Sequence, residues 1–340
     1  MNIAVVNIYG DVYANDRLFD VRSCKIGENL LVPGIQLKET LEKCGHSFHT
    51  VDVYEDLTKI DYIIFSDLYN WYINACMTGK DYLKYVVRRK WRGDTLKKVM
   101  KVIPKKRRFL IIQEPPVYAK ESYNKKAHGY FNKILTWDDR LVDNKKYFKF
   151  NYPQPVPETL YDVPYSGKKF LTMICGNKSS KGKNELYSSR RAVIDYFETN
   201  GHQFDLYGFG WEKSGLGNFR GTVKHKLQVL SRYKFCICFE NMYGMHGYIT
   251  EKIFDCFFAG CVPVYWGAEN IEAYIPKEAF IDWRKFRGIE DVVNYLDHMS
   301  ESEYEKYIAS AREYLSGKAF QDDFSVDAYV GRIRKLLEIR

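Results

Sequence analysis

The chain has 340 residues, 46% of them hydrophobic and 16% aromatic, and its 52 Lys and Arg against 43 Asp and Glu give a formal net charge of +9. This composition excludes an intrinsically disordered chain, which would hold fewer aromatic residues. At roughly 100–200 residues per domain, the length predicts about two domains, each long enough to bury its own core.

The excess positive charge is confined to one segment. Residues 84–108 hold twelve Lys or Arg and one acid, Asp94, so they carry +11 and the rest of the chain sums to −2. Such a run favours a solvated helical face, and a patch for anionic membrane lipid or an acidic glycan is the alternative. Because no nucleic-acid-binding motif accompanies the segment, we do not expect a nucleic-acid partner.

The apolar runs and the cysteines indicate in which cellular compartment the protein resides. No run approaches the roughly 18–20 apolar residues of a membrane span, and the apolar residues 3–8 are too few for a signal peptide. The eight cysteines lie mostly in apolar runs without a C-x-x-C spacing, which predicts small buried hydrophobes in a reducing compartment. We therefore expect a cytoplasmic protein, with 84–108 as the route of any peripheral contact with the inner face of the membrane.

The first half alternates strand-like and helix-like runs. Strands are expected at 1–8, 46–53, 60–65, 108–112, 134–137 and 147–150, and helices at 33–45 and 82–102. This alternation predicts a doubly wound α/β domain. Four of the ten prolines fall in 152–165. A proline-rich stretch pairs poorly in a sheet and marks a domain boundary there, with a long ordered loop inside one domain as the alternative.

The second half repeats the pattern. Strands are expected at 169–175, 204–207, 235–239 and 261–266, and helices at 185–199, 224–232, 250–259, 290–299, 301–315 and 326–340. Thr250 is a good N-cap for the helix at 250–259, and Gly260 is a natural residue to end it. Strand, loop, helix and strand over 233–266 form a βαβ unit, which implies a parallel sheet covered on both faces.

Polar residues stand where such a unit binds ligands. Glu240 and Asn241 fall at the carboxyl end of the first strand, while Tyr248, Glu251 and Lys252 fall in the loop and the first helical turn. Ligands of open α/β sheets bind outside the carboxyl ends of the strands, and a helix N-terminus favours an anion. A lysine in a first turn opposes the helix dipole, which a bound phosphate would explain. The alternative is a solvated Lys252 beside an ordinary first-turn acid.

The same stretch resembles a known family. The runs 239–241, 248–252, 259–260, 262–264, 267–268 and 280–282 resemble the signature block of the α1,3-fucosyltransferases, glycosyltransferase family 10. The resemblance implies an α/β fold of the GT-B type, with two doubly wound Rossmann-like domains facing a cleft. Residues 1–155 would bind the acceptor and 156–325 the nucleotide sugar. The helix at 326–340 would cross back to the first domain, with a membrane-surface helix as the alternative.

The resemblance also implies a reaction. The protein would be an inverting fucosyltransferase that moves fucose from GDP-fucose to a glycan hydroxyl, α1,3 to an N-acetylglucosamine or glucose-type acceptor. No cofactor or metal is expected, and no two aspartates stand two residues apart as in the Asp-x-Asp motif of many metal-using transferases. Two alternatives stay open: a GT-B transferase for another nucleotide sugar, and an inactive relative that binds a nucleotide or a glycan.

Glu114 is the candidate general base. It follows the predicted strand 108–112, so it should stand at the carboxyl edge of the sheet, and Pro115 keeps it out of helical geometry. The segment 111–116 resembles the family's Glu-Ser-Pro motif, with Pro115 in place of the serine, and the motif's glutamate is the base. The alternative is a surface acid at a turn.

The resemblance implies the donor-binding residues. Lys252 and Arg190 would contact the diphosphate, and Arg191 is open as the alternative to Arg190, since arginine suits bidentate contact with phosphate. Glu251 would accept hydrogen bonds from donor hydroxyls such as those of the ribose. Asn241 and Tyr248 would bind the sugar or the phosphates, although Tyr248 would serve equally as a packed loop aromatic.

Overall fold

The computed structural model describes residues 1–7, 10–24, 29–68 and 99–339. Most of the basic segment 84–108, most of the predicted helix at 82–102 and Cys76 lie outside the described residues. The chain divides into two compact units, Met1–Pro153 with Val326–Arg340, and Gln154–Ser325.

The first unit is built on a six-stranded sheet. Its strands are β1 (Asn2–Val6), β2 (Ser47–Thr50), β3 (Tyr62–Ser66), β4 (Arg108–Ile112), β5 (Lys133–Thr136) and β6 (Tyr147–Lys149). All neighbours are parallel, in the order β2-β1-β3-β4-β5-β6. All five residues of β4 are buried, as expected for a strand covered on both faces. Its described helices include α1 (Val32–Lys43), which ends before the left-handed Gly45, and α2 (Lys125–His128).

The second unit is built on a five-stranded sheet. Its strands are β7 (Lys169–Ile174), β8 (Phe204–Tyr207), β9 (Tyr233–Phe239), β10 (Val262–Trp266) and β11 (Ile281–Asp282), all parallel, in the order β11-β10-β9-β7-β8. The helices are α3 (Tyr187–Asn200), α4 (Lys226–Leu230), α5 (Glu251–Phe258), α6 (Ile289–Asp297), α7 (Glu301–Ser316) and α8 (Lys318–Asp323). Apart from β11 and the short α8, which the sequence does not predict, these elements lie where the sequence predicts them.

Strand β9 is the middle of this sheet, and both of its faces are buried. Phe235, Ile237 and Phe239 enter one core cluster, whereas Cys236 and Cys238 enter another that also holds the apolar face of α5. The alternation follows from the two-residue period of a strand. The first residue past the strand, Glu240, therefore lies at the carboxyl edge of the sheet, beside the start of α5.

The last helix, α9 (Val326–Leu336), belongs to the first unit. Gln36 of α1 donates from Nε2 to Asp327 Oδ1 at 2.6 Å, and the ring of Tyr329 packs edge-on against Phe150. The apolar side of α9, with Val330 and Ile333, is buried, so this face packs within the protein. In the described part of the chain, no helix combines the length and the apolar character that crossing a membrane requires.

The described cysteines are unpaired thiols. Cys236, Cys238, Cys256 and Cys261 are buried, as predicted. The prediction is wrong for Cys44, which is exposed, and it holds only in part for Cys24 and Cys175, which are half-buried. Cys44 is the C-cap of α1, so it lies beyond the last buried residue of that helix, Leu41.

Candidate active site

Glu240 organises the carboxyl edge of the second sheet. It follows β9 directly, and the structure buries it completely, at 0% exposure. Its Oε1 accepts hydrogen bonds from the backbone N–H of Thr250 at 2.8 Å and from the Thr250 hydroxyl at 3.0 Å, and its Oε2 accepts from the same hydroxyl at 2.8 Å. A buried carboxylate needs such partners. Glu240 therefore fixes the start of α5 against the end of β9.

A glycine makes room for this carboxylate. A Cβ added at Gly267, just past β10, would lie 2.6 Å from the Tyr265 hydroxyl and nearer still to Glu240 Cγ. No other residue type fits such a close approach without displacing its neighbours. Gly267 is thus required by the packing of Glu240.

Lys252 is held at the same place. Its Nζ donates to the Thr250 hydroxyl at 2.9 Å and lies 3.2 Å from Glu240 Oε2 and 3.4 Å from Glu251 Oε1. Burial opposes its charge, but Glu240 and Glu251 outweigh that effect and raise the pKa of Lys252. With its side chain 23% exposed, Lys252 is an oriented cation at the N-terminus of α5 rather than a solvated one.

Glu251 opens α5 and is more accessible, with its side chain 53% exposed. Partial burial works against its ionisation, but Lys252 and Lys226 dominate and lower the pKa of Glu251. Lys226 in turn pairs with Asp255, one turn further along α5. Glu251 is therefore an ionised hydrogen-bond acceptor that remains partly open to solvent.

Arg190 approaches from α3. Its Nη2 donates to the carbonyl oxygens of Phe239 and Glu240, both at 2.7 Å, and to Asn241 Oδ1 at 3.1 Å. The residue is only 7% exposed. Within the described residues these hydrogen bonds all use Nη2, which leaves Nη1 and Nε for another acceptor.

The structure separates Arg190 from its alternative. Arg191 points to the surface, where it pairs with Asp195 at 2.8 Å on the same helix. Arg190 is therefore the arginine at the carboxyl end of β9. Tyr248 is almost fully buried, and Asn241 Nδ2 lies 3.4 Å from its hydroxyl. Tyr248 is thus a packed loop aromatic next to Asn241.

Two features of this site differ from the sequence analysis. Thr250 occupies the N-cap position, but its side chain makes no capping hydrogen bond, because its hydroxyl is committed to Glu240. Glu240 was placed at the carboxyl end of the strand from the sequence, but no role in the site was predicted for it. The structure shows that it connects Thr250 and Lys252.

Glu114 lies in the first unit, directly beyond Gln113 at the carboxyl end of β4. Its backbone N–H donates to Asp67 Oδ2 at 2.9 Å, and its carbonyl oxygen accepts from the Tyr123 hydroxyl at 2.9 Å. The side chain is half-buried. Asp67, the first residue after β3, was not predicted from the sequence to belong to this site.

Across residues 1–7, 10–24, 29–68 and 99–339, no group of three or more His, Cys, Asp or Glu side chains is placed to hold a metal ion.

Comparison with known proteins relates the second unit to a family. Residues 169–327 match the family model of glycosyltransferase family 10 (fucosyltransferase), C-terminal part. An α1,3-fucosyltransferase of Helicobacter pylori is 32% identical over 173 residues, which cover 50% of this chain and 33% of that enzyme. The 4-galactosyl-N-acetylglucosaminide 3-α-L-fucosyltransferase 9 of Mus musculus is 28% identical over 171 residues, which cover 49% of this chain and 41% of that enzyme. The matched part thus spans well under half the length of these relatives.

Solved structures extend the likeness to nearly the whole chain. An α1,3-fucosyltransferase crystallised with GDP superposes with a TM-score of 0.57 at 17% identity, over 99% of this chain and 90% of that one. An α-glucosyltransferase in complex with UDP and mismatched DNA superposes with a TM-score of 0.60 at 10% identity, over 99% of this chain and 100% of that one. These likenesses confirm the predicted GT-B type of fold. Arg190, Glu240 and Lys252 all lie in residues 169–327, so the side chains that meet at the end of β9 belong to the part of the chain that matches glycosyltransferase family 10, the fucosyltransferases.

Proposed function

We propose that this protein transfers fucose from GDP-fucose to a hydroxyl group of a glycan, with inversion at the sugar carbon. The observation that carries the proposal is the junction of β9 and α5 inside the family-10 region. There Lys252 and Arg190 stand at the carboxyl edge of a parallel sheet, which is where such sheets bind nucleotides.

The donor would bind the second unit. The N-terminus of α5 and the oriented Lys252 supply positive charge for the diphosphate, and Arg190 offers its remaining N–H groups. Glu251, ionised and half-exposed, is suited to accept hydrogen bonds from the ribose hydroxyls. Asn241 would bind the sugar or a phosphate, with Tyr248 packed beneath it.

The chemical step needs a base and a leaving group. The acceptor oxygen bonds to the sugar carbon as the bond from that carbon to the phosphate oxygen breaks, and GDP departs with the electron pair. Glu114 takes the proton of the attacking hydroxyl. Lys252 and Arg190 stabilise the negative charge that develops on the diphosphate. The acceptor is proposed to be an N-acetylglucosamine or glucose-type sugar, fucosylated at its 3-hydroxyl.

A transferase for another nucleotide sugar is the second candidate, because the glucosyltransferase crystallised with UDP shares the fold equally well. Release of the nucleotide in the absence of any acceptor separates the two. We expect slow GDP release from GDP-fucose, at the same rate with and without EDTA. Release from UDP-sugars alone would reject the donor, and loss of activity in EDTA would reject the metal-independent mechanism.

Lys252→Ala tests the donor site. Because a charge-assisted contact to phosphate is lost, we expect GDP affinity to fall by roughly tenfold or more in calorimetry. Lys277→Ala is the matched control, since its side chain is 62% exposed and its nearest acid, Glu278, is 4.0 Å away. Equal GDP affinity in both variants would remove Lys252 from the site.

Glu114→Gln tests the base. We expect turnover to fall by roughly 10²-fold or more while GDP affinity stays near that of the wild type. Glu42→Gln, on the partly exposed surface of α1, makes the same change of charge in the same unit and should leave turnover unchanged. Wild-type turnover in Glu114→Gln would show that another group takes the proton.

A further inference from the structure

We propose that Asp67 is a positioning residue for Glu114, and that its carboxyl group fixes the two peptide groups that carry the candidate base. The inference rests on the proposed function, since it assigns Asp67 to the same reaction. It concerns how the first unit presents the base, which neither the family match at 169–327 nor the sequence pattern addresses.

Asp67 has two features that cost free energy, its burial and its backbone conformation, and the surrounding structure must compensate for both. It is completely buried, at 0% exposure, and its backbone is in the left-handed region at φ 58°. Burial of a carboxyl group and a left-handed backbone at a residue with a side chain both cost free energy. The backbone N–H of Asp67 donates to Ile111 O at 2.8 Å, so the turn after β3 is joined to the end of β4.

The carboxyl group of Asp67 accepts the backbone N–H groups of the next strand's end. Gln113 N lies 3.1 Å from Oδ1 and 3.2 Å from Oδ2, and Glu114 N lies 2.9 Å from Oδ2. The Ser122 hydroxyl is 2.9 Å from Oδ1 and also accepts from Leu68 N at 2.7 Å. One buried side chain thereby holds both N–H groups of the Gln113–Glu114 segment.

The carbonyl groups of the same two residues are held by aromatic side chains. Gln113 O accepts from Trp137 Nε1 at 3.0 Å and from the Tyr152 hydroxyl. Glu114 O accepts from the Tyr123 hydroxyl at 2.9 Å. Every backbone polar group of the two residues thus binds a side chain from elsewhere in the unit, which is the support that a base on a loop needs in order to hold its geometry.

The protonation state of Asp67 suits this role. Burial, and then the charge of Glu114, raise the pKa of Asp67 to about 8, although the hydrogen bonds from Glu114, Ser122 and Gln113 act the other way. At neutral pH the group is therefore mainly protonated. The Ser122 hydroxyl, which donates to Oδ1 of the ionised form, then accepts from Oδ1–H and turns its own hydrogen to Leu68 O, 3.4 Å away, while Oδ2 accepts the two N–H groups. A neutral Asp67 adds no second negative charge beside Glu114.

Other ionisable groups stand near this carboxyl group. Tyr123 faces it from the 3₁₀ turn Lys120–Tyr123. Burial raises the pKa of that phenol, and so do the charges that Asp67, Asp138 and Glu114 carry at the alkaline pH where a phenol titrates. Arg140, which pairs with Asp138 at 2.9 Å, acts on Tyr123 in the opposite direction. Tyr123 therefore stays neutral and donates to Glu114 O across the working range of pH.

Two substitutions at one position separate anchoring from simple stability. Asp67→Gly suits the left-handed backbone but removes the carboxyl group. Asp67→Asn keeps an acceptor oxygen for the N–H groups and a donor for Ser122, and asparagine tolerates the same backbone. Asn144→Gly is the matched control, because Asn144 is also left-handed, at φ 55°, but exposed.

We expect Asp67→Gly to lower kcat between about 10- and 100-fold, the cost of a displaced catalytic group, with KM for GDP-fucose within about twofold of wild type. Asp67→Asn should restore kcat to within about threefold of wild type, and Asn144→Gly should not change it. Wild-type kcat in a folded Asp67→Gly, or a loss in Asp67→Asn as large as that in Asp67→Gly, would overturn the inference.

Hydrogen exchange provides a readout that does not depend on activity or on a variant that folds. Pro115 and Pro116 carry no N–H, so the last two exchangeable backbone amides of a peptide that ends at Pro116 are those of Gln113 and Glu114. We expect slow exchange of both amides in the wild-type protein, and fast exchange at either would overturn the inference. If Glu114→Gln has wild-type kcat, the assignment of the base fails instead. If Glu114→Gln is slow and Asp67→Gly is not, only the inference fails.

Discussion

Two glutamates contact Lys252, and the structure predicts that they differ in their contribution to stability. Glu240 is completely buried, and its Oε2 lies 3.2 Å from Nζ, whereas Glu251 is 53% exposed, and its Oε1 lies 3.4 Å away. Substitution of either one by Gln removes one negative charge from the same lysine. The two variants therefore make the same chemical change, once at a buried partner of Lys252 and once at an exposed one.

The expected magnitudes follow from burial. Loss of one partner of a fully buried ion pair costs roughly 3–5 kcal/mol, because the other charge stays buried. Lys252 is 23% exposed, and the glutamine that replaces Glu240 would still accept from Thr250, so we expect about 2–3 kcal/mol for Glu240→Gln. For Glu251→Gln the exposed pair predicts roughly 0–1 kcal/mol.

Thermal unfolding measures the difference. For a unit of about 150–250 residues, 1 kcal/mol shifts Tm by roughly 2–4 °C, so Glu240→Gln should lower the Tm of the second unit by about 5–10 °C. Glu251→Gln should lower it by less than about 4 °C. Equal shifts in the two variants would refute the assignment of Glu240 as the residue that joins β9 to α5.

Two further measurements test packing and charge. Gly267→Ala should destabilise the protein by about 1–3 kcal/mol because its methyl group would overlap Glu240 Cγ, whereas Gly331→Ala, with nothing within 4 Å on α9, should stabilise it by about 0.5–1 kcal/mol. Equal effects in urea unfolding would contradict this. The pKa of Asp67 is raised from 3.8 to about 8, so between those values the native state binds a proton that the unfolded chain has lost. The stability of the wild type should therefore fall, relative to Asp67→Asn, by up to about 1.4 kcal/mol per pH unit as pH rises through this window. A parallel pH dependence in the two proteins would show that Asp67 is ionised throughout.

The elements of the second unit could be predicted because their signals are local. The run 235–239 alternates between two buried faces, and Gly260 ends α5 with φ 61°, as a glycine at that position predicts. Strand β4 likewise has the predicted bounds. The predicted helix at 82–102 lies mostly outside the described residues and stays a prediction. Each of these predictions depends on residues within a few positions of one another.

The site residues depend on contacts between distant positions. Glu240 binds Thr250 ten residues later, Arg190 binds the Glu240 carbonyl across fifty residues, and Asp67 binds Glu114 across forty-seven. The choice between Arg190 and Arg191 needs the rotation of α3 about its own axis relative to the sheet. No pattern within a short window contains that information.

The sequence by itself determined where most of the described strands and helices lie, that the sheets are parallel and which segment resembles a family, because hydrophobic period, capping and turn residues act over a few positions. Only the tertiary structure decided which polar side chains meet. It brought Glu240, Thr250 and Lys252 to one edge of the second sheet and Asp67 to the peptide of Glu114. A buried polar group needs a hydrogen-bond partner. Which partner lies within reach depends on how the strands and helices pack, and no single stretch of the chain contains that information.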